Sequence, residues 1–499
     1  MAVAGFAGWR RALALVCAGV LPAVAAAQPW PSQTAKDSHL RAGPAQEYPV
    51  VAILLRGTDV TVEGCLADYR WCDVTVAGYR GWVYGGNLVF AWQGQPAPVL
   101  DVGAVVGIAI LGFALEDYWG QHYRATHWYP QRHDWVRRVE ESGLIWHGAG
   151  GDSYWNEDEH LVFTLQAAET LEDAATELHA MCRNACEEII KRDWWHRLAI
   201  PEAAIGMVQS SWACGDFSLY GRFDLAWDGS GTPKLLEYNA DTPTSLLEAS
   251  VIQWDWLVDC HPDCDQLNSI HEALISQWQS IVDPFIHFAC VWDMLEDRQT
   301  IAYLAETAEQ AGKSVELMDM EEIGFSPEGR FTDTNERAID RLFKLYPWEW
   351  LANEPFYAEI HQERSRFTEP AWKMMLSNKG LLPILWDLHP GHPLLLPAAH
   401  SSDDLLRMGV DKWVEKPHFG REGGGVSIVE RGECVATGTG EAEPGPLIYQ
   451  KQASLFQAND RHFVWGLWMV GDECRGLSAR GDHSPVTGNL SRFYPHRIA

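Results

Sequence analysis

Two strand-like segments joined by a glycine-rich turn constrain this chain more than any other feature. The first reads YGRFDLA from Tyr220, the second reads KLLEYN from Lys234, and DGSG opens the connection between them. Apolar segments on either side of such a turn are typical of a β-hairpin. Charged and amide side chains interrupt both segments, and polar groups in an apolar element are costly unless something pairs them. The hairpin therefore predicts a functional site as well as a local fold.

The hairpin register decides which polar side chains meet. Side chains two residues apart share one face of a strand, so each strand offers two polar groups to the same face. A four-residue loop over 229–232 places Asp224 opposite Glu237, and Arg222 opposite Asn239. Two carboxylates and an amide then converge beside a guanidinium.

Hard oxygen ligands of this kind suit Mg²⁺, which commonly shares its coordination shell with substrate phosphates. The alternative is a solvated hairpin face with an ion pair between Arg222 and an acid. Opposed carboxylates would repel one another without a cation, which favours the metal site. We therefore predict that Asp224, Glu237 and Asn239 hold Mg²⁺.

A second informative segment, WVEKPHFGREGGGVSIVE, carries Lys416 from a strand into a glycine loop before another strand resumes. Backbone N–H groups of such a flap can cover phosphates, and the lysine supplies a positive charge. A merely flexible turn would show the same glycines. The chain contains no GxxxxGK[ST] sequence, so a Walker loop is excluded.

The length and the net charge of the chain indicate its number of domains and the kinds of partner that it can bind. The chain has 499 residues, with 68 acids against 38 bases and a formal net charge of -30. Its length suits two or three domains. The acidic balance argues against nucleic acid as a partner, whereas a polycation would be attracted.

The N-terminus has the pattern of a secretory signal. Arg10 and Arg11 precede an apolar run that ends in alanines before Gln28, so residues 1–27 are predicted to be a signal peptide. In an oxidising compartment, Cys65 and Cys72 could close a small loop between adjacent strands. We therefore expect an exported protein of the periplasm or cell envelope.

Residues 33–95 consist of short alternating segments separated by turns, which predicts a small all-β barrel. LRAGPAQEYPVV, GTDVTVEGC and GWVYGGNL resemble the bacterial SH3-like domains. This resemblance implies a binding module, with cell-wall peptide as its possible partner. Residues 96–134 are interpreted as a linker and an aromatic tail.

Residues 135–499 resemble the synthetase domain of the glutathionylspermidine synthase family. The resemblance rests on YGRFD, LLEYNADTPTSLLEA, SNKGLLPILW, PGHPLLLPA and EKPHFGREGGG. It implies an ATP-grasp fold with mixed α+β and α/β architecture. It also implies an ATP- and Mg²⁺-dependent ligase that joins an acid to an amine through an acyl phosphate.

The resemblance assigns roles residue by residue. Arg222 would stabilise the transferred phosphoryl group, and the metal ligands would be the three already named. The residues implied to contact ATP are Lys379, Lys416, Gly423, Gly424, Gly425 and Arg480. The acid substrate would meet Thr242 and Thr244, and the amine would meet Glu296 and Asp297.

Glutathione and spermidine are the substrates that the resemblance suggests, although related pairs fit it equally well. The alternative function is an exported wall-binding protein whose ATP-grasp domain is a non-catalytic scaffold. An ATP-dependent enzyme also needs a compartment that contains ATP, so a cytoplasmic location is the alternative to export.

Overall fold

The computed structural model describes residues 30–123, 134–149, 153–355, 357–360, 364–440 and 445–499, apart from residues 47 and 49. The chain divides into two compact units, Met1–Tyr129 and Pro130–Ala499. The predicted signal peptide lies outside the described residues. None of the helices that the structure describes is both long and apolar enough to cross a membrane.

The first unit is an eight-stranded antiparallel sheet with two short helices. Its strands run in the order β3-β2-β6-β5-β4-β1-β7-β8. They are β1 Trp30–Thr34, β2 Ser38–Arg41, β3 Val50–Leu54, β4 Asp59–Cys65, β5 Trp71–Val76, β6 Tyr79–Tyr84, β7 Leu88–Trp92 and β8 Gln95–Pro98. A disulfide joins Cys65 to Cys72 across β4 and β5, which confirms the expected pairing.

The segment predicted as a linker and aromatic tail packs against this sheet as far as it is described. It contributes β8, α1 Val99–Val106 and α2 Leu115–His122. The Tyr118 hydroxyl donates to the buried carboxylate of Asp73, and the Trp119 indole donates to the carbonyl of Ala42. Its aromatic residues therefore help to form the first unit.

The second unit mixes helices with three larger sheets. Its helices are α3 Trp135–Glu141, α4 Leu165–Arg192, α5 Glu202–Ala213, α6 Gln253–Cys260, α7 Ile270–Ser280, α8 Leu295–Gln310, α9 Trp348–Leu351, α10 Tyr357–Ile360, α11 Leu381–Leu388 and α12 Ser402–Arg407. Short 3₁₀ turns of this unit occur at Trp194–Arg197, Met320–Glu322 and Ala371–Met375, with a π turn at Glu248–Ile252, whereas the 3₁₀ turn Gly85–Asn87 belongs to the first unit.

Most strands of the second unit form one parallel sheet and two larger antiparallel sheets, and two further pairs of short strands form two-stranded sheets. The parallel sheet has the order β13-β12-β16-β17, and the antiparallel sheets have the orders β11-β10-β24-β25-β26 and β18-β22-β19-β20-β21. The strands are β9 Leu161–Phe163, β10 Tyr220–Ala226, β11 Lys234–Asn239, β12 Phe285–Cys290, β13 Ser314–Asp319, β14 Gly324–Phe325, β15 Phe331–Thr332, β16 Arg341–Leu345, β17 Arg366–Thr368, β18 Ala398–Ala399, β19 Lys412–Pro417, β20 Ser427–Glu430, β21 Glu433–Thr437, β22 Leu447–Lys451, β23 Phe456–Ala458, β24 Arg461–Val470, β25 Glu473–Asp482, β26 Arg492–Tyr494 and β27 His496–Ile498.

Helix α4 shows how the pattern of the sequence builds the main core. The side chain of Thr164 caps its first turn, and its buried residues recur at helical spacing, from Leu171 to Ile189. Behind the hairpin, the rings of Phe223 and Tyr238 stack with centroids 3.8 Å apart, and both rings belong to this core. One face of the hairpin is thus anchored in apolar packing, which leaves the other face for polar chemistry.

The predicted hairpin is present, but its loop is longer than predicted. The strands end at Ala226 and resume at Lys234, so residues 227–233 form the connection, and the predicted four-residue loop is wrong. Asp224 nevertheless lies opposite Glu237. A β-bulge at Leu236 shifts the register by one residue and restores the predicted pairing at the carboxylates.

Candidate active site

A cleft of about 1320 Å³, part of it open to solvent, collects most of the predicted residues. The hairpin β10–β11 lies on one side, and the strands β19 and β20 with their glycine loop contribute the other. The predicted residues in its lining are Arg222, Asp224, Glu237, Asn239, Thr242, Thr244, Lys379, Lys416, Gly423, Gly424 and Arg480. Gly425, Glu296 and Asp297 do not line it.

Arg222 is buried and bound on two sides. Its Nε and Nη2 donate to the two carboxylate oxygens of Asp224, at 2.6 and 3.1 Å. Its Nη1 donates to the carbonyl oxygen of Thr244. Arg480 approaches the same carboxylate, with Nη2 3.4 Å from Oδ2 of Asp224. Two guanidinium groups therefore meet at one carboxylate on the cleft wall.

Asn239 bridges the two opposed carboxylates. Its Nδ2 donates to Oε1 of Glu237 at 3.0 Å and to Oδ2 of Asp224 at 3.3 Å. The side-chain N–H group of Asn239 occupies the position between the two carboxylates that a bridging cation would take. The amide nitrogen, and not the amide oxygen that could bind a metal, faces the carboxylates. Magnesium ligation by Asn239 therefore stays a prediction.

Glu237 remains ionised in spite of its surroundings. Burial alone would raise its pKa, but the charges of Lys379 and Lys416 and the hydrogen bond from Asn239 lower the pKa to about 2. The ammonium of Lys379 lies 3.3 Å from the Glu237 carboxylate. A carboxylate held ionised in this way is fit to bind a divalent cation.

The donor set fits Mg²⁺ on its chemistry, since it offers two opposed carboxylates near cationic groups suited to phosphates. Among the residues that the structure describes, no three His, Cys, Asp or Glu side chains cluster as a metal site. The predicted set contains two such side chains, so substrate oxygens or water would have to complete the shell.

Two lysines reach the cleft from different elements. Lys379 precedes α11, and its Nζ donates to the carbonyl of Gly420 at the start of the glycine loop. Lys416 on β19 donates to the carbonyl of Leu236 and to Oε1 of Gln450, both at 2.8 Å. Burial and the positive charge of Lys379 lower the pKa of Lys416 to about 8, although the negative charge of Glu237 acts to raise that pKa.

The glycine loop is ordered by close backbone contacts. A Cβ on Gly423 would lie 2.6 Å from the carbonyl oxygen of Thr487, and its φ of +73° also favours glycine. The loop therefore packs tightly against the segment after β25. Arg421 and Glu422, which sequence reasoning did not select, line the cleft within the same motif.

Glu296 and Asp297 begin α8 beside the cleft, in an acidic cluster with Glu248 and Glu422. Burial, followed by the charges of Glu248 and Asp297, raises the pKa of Glu296 to about 8. Burial raises the pKa of Asp297 to about 6, partly offset by Arg421. Sequence reasoning missed Glu248, although it lies at the end of the TPTSLLEA motif.

Asp241, the remaining acid of the hairpin motif, has a structural role. Its carboxylate accepts hydrogen bonds from Nζ of Lys344 at 2.8 Å and from the backbone N–H of Trp348 at 2.9 Å. Its own N–H donates to the hydroxyl of Ser377. These contacts fix the segment that carries Thr242 and Thr244 into the cleft.

The comparisons with known proteins identify the family of the chain. Residues 126–499 match the family described as glutathionylspermidine synthase preATP-grasp. The chain belongs to this family. Residues 37–89 match the bacterial SH3 domain, which confirms the resemblance stated for the N-terminal unit.

Several curated relatives are similar. A putative acid–amine ligase of Haemophilus influenzae is 37% identical over 74% of this chain and 98% of its own length. Trypanothione synthetase of Crithidia fasciculata is 30% identical over 65% of this chain, and bifunctional glutathionylspermidine synthetase/amidase of Escherichia coli is 26% identical over 68%. The matches cover only 54% and 60% of the latter two proteins.

A solved structure, the glutathione synthetase-like effector of Globodera pallida, aligns with a TM-score of 0.44 and 10% identity over 73% of this chain and 98% of its own. That likeness is too weak to assign a fold, so ATP-grasp stays a prediction. The family itself confirms that the chain is an ATP-dependent carbon–nitrogen ligase.

Proposed function

We propose that this ligase joins the carboxylate of a thiol peptide such as glutathione to a polyamine such as spermidine through an acyl phosphate. The observation that carries the proposal is the convergence of Arg222, the opposed carboxylates, Lys379 and Lys416 in one cleft. The names of the relatives support the choice of substrates. We include an ATP-grasp fold in the proposal, since the cleft lies between strands of two antiparallel sheets.

In the first step, a carboxylate oxygen of the acid forms a bond to the γ-phosphorus of ATP, and the bond to ADP breaks. Phosphoryl transfer mainly requires in-line positioning and charge neutralisation. Lys379 and Lys416 are suited to bind the phosphates, with Gly423 and Gly424 above them. Arg222 and Arg480 are suited to stabilise the charge on the transferred group. Magnesium, when bound by Asp224 and Glu237, would neutralise phosphate charge and orient the oxygens.

In the second step, the amine nitrogen bonds to the carbonyl carbon of the acyl phosphate, and inorganic phosphate leaves with the electron pair. The amine must lose a proton for this attack. Thr242 and Thr244 are suited to hold the acid, while Glu296 and Asp297 are suited to hold the cationic amine. A neutral acid at Glu296, with its raised pKa, can become ionised when a cation arrives.

The test is ADP release by the purified full chain with ATP, Mg²⁺, glutathione and spermidine. We expect release to require all four components and to yield an amide detectable by mass spectrometry. A neutral amine of similar size should stimulate release less, because the acidic cluster would gain no charge partner from it.

The alternative, a non-catalytic scaffold, predicts Mg²⁺-dependent ATP binding without ADP release for any acid and amine. A panel of thiol peptides, wall peptides and polyamines distinguishes the two outcomes. ADP release with another pair would keep the ligase and replace only the substrates.

We also propose that the chain is exported and that its SH3-like unit binds cell-wall peptide. The signal-like pattern of residues 1–27 and the Cys65–Cys72 disulfide support an oxidising compartment. The expected result of fractionation is an envelope protein whose mature N-terminus is near Gln28. A cytoplasmic protein that begins at Met1 would contradict export and leave the ligase proposal intact.

A further inference from the structure

The side chain of Glu248 is buried, with 1% of its surface exposed. Oε1 accepts from the hydroxyl of Tyr154 at 2.8 Å. Oε2 has no short hydrogen bond among the described residues, and the indole N–H of Trp146 is a further donor near this carboxylate. The nearby indole of Trp146 also favours the ionised form of this carboxylate. A buried carboxylate with so few short hydrogen bonds is unusual and calls for a functional explanation.

Glu248 and Glu296 are close enough for the charge of Glu248 to raise the pKa of Glu296. Burial is the largest cause of the raised pKa of each group, and their mutual repulsion adds to it at Glu296. Two adjacent carboxylates in a poorly solvated place share one proton more readily than they carry two charges. Glu296 lies in the first turn of α8 and is the partly exposed member of the pair.

One residue connects this pair of acids to the phosphoryl site. Ser245 has a φ of +68°, which makes a sharp turn in the backbone between the carbonyl that contacts Arg222 and the groups that contact the two acids. The carbonyl before it, on Thr244, accepts from Arg222, while its own N–H donates to Glu296 and its hydroxyl lies 3.0 Å from the hydroxyl of Tyr154. The carboxylate pair is therefore one residue away from the arginine of the first step.

From this arrangement we infer that Glu248 and Glu296 act as a carboxylate pair in which Glu296 takes the proton from the attacking amine and Glu248 tunes it for that task. The inference rests on the proposed function and adds a proton acceptor to it. The incoming ammonium expels the proton that the pair holds. Glu296 then removes one proton from the ammonium as the new C–N bond forms and phosphate leaves. Glu296 would be a catalytic residue, and Glu248 a positioning residue that acts through it.

Other charged groups face the pair and shape its titration. Asp297 and Glu422 raise the pKa of Glu296 further, and Arg480 favours the ionised form of Glu248. Glu248 itself opposes ionisation of Glu296. Removal of the Glu248 charge should therefore lower the pKa of Glu296 and weaken it as a proton acceptor.

The first experiment measures the protons released when spermidine binds to the full chain at pH 7, by calorimetry in two buffers of different ionisation enthalpy. The wild-type chain should release about one proton per spermidine, because a group with a pKa of about 8 is mostly protonated there. Glu248→Gln should release much less, and Glu296→Gln close to none. Equal release by the wild type and both variants would overturn the inference.

The second experiment separates the two steps of the reaction. Hydroxylamine is uncharged at neutral pH and traps an acyl phosphate without a protein base. With ATP and glutathione, Glu296→Gln should keep hydroxamate formation within a few fold and lose about 100-fold in ligation of spermidine. In Glu248→Gln, the fall of kcat/KM for spermidine with decreasing pH should move down by about one pH unit. Equal losses of hydroxamate and amide in both variants would indicate a structural role and overturn the inference.

Glu309→Gln is the matched control, because it makes the same chemical change at an exposed position of α8. It should behave as the wild type in both experiments. Absence of hydroxamate in the wild type with glutathione would contradict the proposed function, while proton release on spermidine binding would still decide whether the carboxylate pair exists. Should Glu248→Gln fail to fold, Glu296→Gln decides the inference alone.

Discussion

Replacing Glu237 by Gln should lower the rate of ADP release by about 100- to 1000-fold, the range expected when a preorganised charge is removed from an active site. The substitution keeps the shape of the side chain but removes the charge that faces Lys379 and Lys416. It also leaves Asp224 as the only carboxylate of the opposed pair. Steady-state kinetics over a range of Mg²⁺ concentrations should show a weaker apparent affinity for the metal together with a lower kcat.

Asp228→Asn serves as the matched control, since Asp228 lies in the same hairpin but is exposed in the connection between the strands. Its kinetics should stay within about two-fold of the wild type, as expected for a surface position. Near-normal ADP release by Glu237→Gln at ordinary Mg²⁺ concentrations would exclude the hairpin as the metal site.

Replacing Arg222 by Lys should lower kcat by about 1000-fold or more, which corresponds to a loss of roughly 4 kcal/mol of transition-state stabilisation. Lysine keeps the positive charge beside Asp224 but cannot reproduce the paired hydrogen bonds that Nε and Nη2 donate. The contact with the Thr244 carbonyl would also be lost. The Michaelis constant for ATP should change much less, because the phosphates of ATP would still be bound by two lysines.

The buried position of Arg222 makes a stability control necessary, since a disturbed buried ion pair can destabilise the fold. Thermal unfolding of Arg222→Lys, with and without ATP, separates a folded but inactive enzyme from an unfolded one. A folded variant that turns over at the wild-type rate would show that Arg222 does not act on the transferred group.

The sequence by itself determined the family and the hairpin, and most of the site residues that it predicted line the cleft. The motifs around Arg222, Lys379 and Lys416 were sufficient for this because each lies next to a recognisable strand, helix start or glycine loop. The Cys65–Cys72 pair was also predictable, since both residues fall on adjacent strands of a short alternating segment. Local patterns of this kind can be recognised without knowledge of the tertiary fold.

Other features depended on contacts far apart in sequence. Glu248 could not be selected from the sequence, because an acid that follows two leucines is typical of the exposed face of a helix. Its importance appears only in the folded chain, where Tyr154 donates to it and its charge acts on Glu296, both from distant parts of the sequence.

The hairpin register shows most clearly what only the tertiary structure decided. With the observed connection over 227–233 and no bulge, Asp224 would face Leu236, and Glu237 would point toward the core. The bulge at Leu236 is stabilised from the second antiparallel sheet, where Lys416 donates to the Leu236 carbonyl and Gln450 to the Leu235 carbonyl. The sequence determined which residues could form the site, whereas packing between the two sheets decided that the two carboxylates face each other.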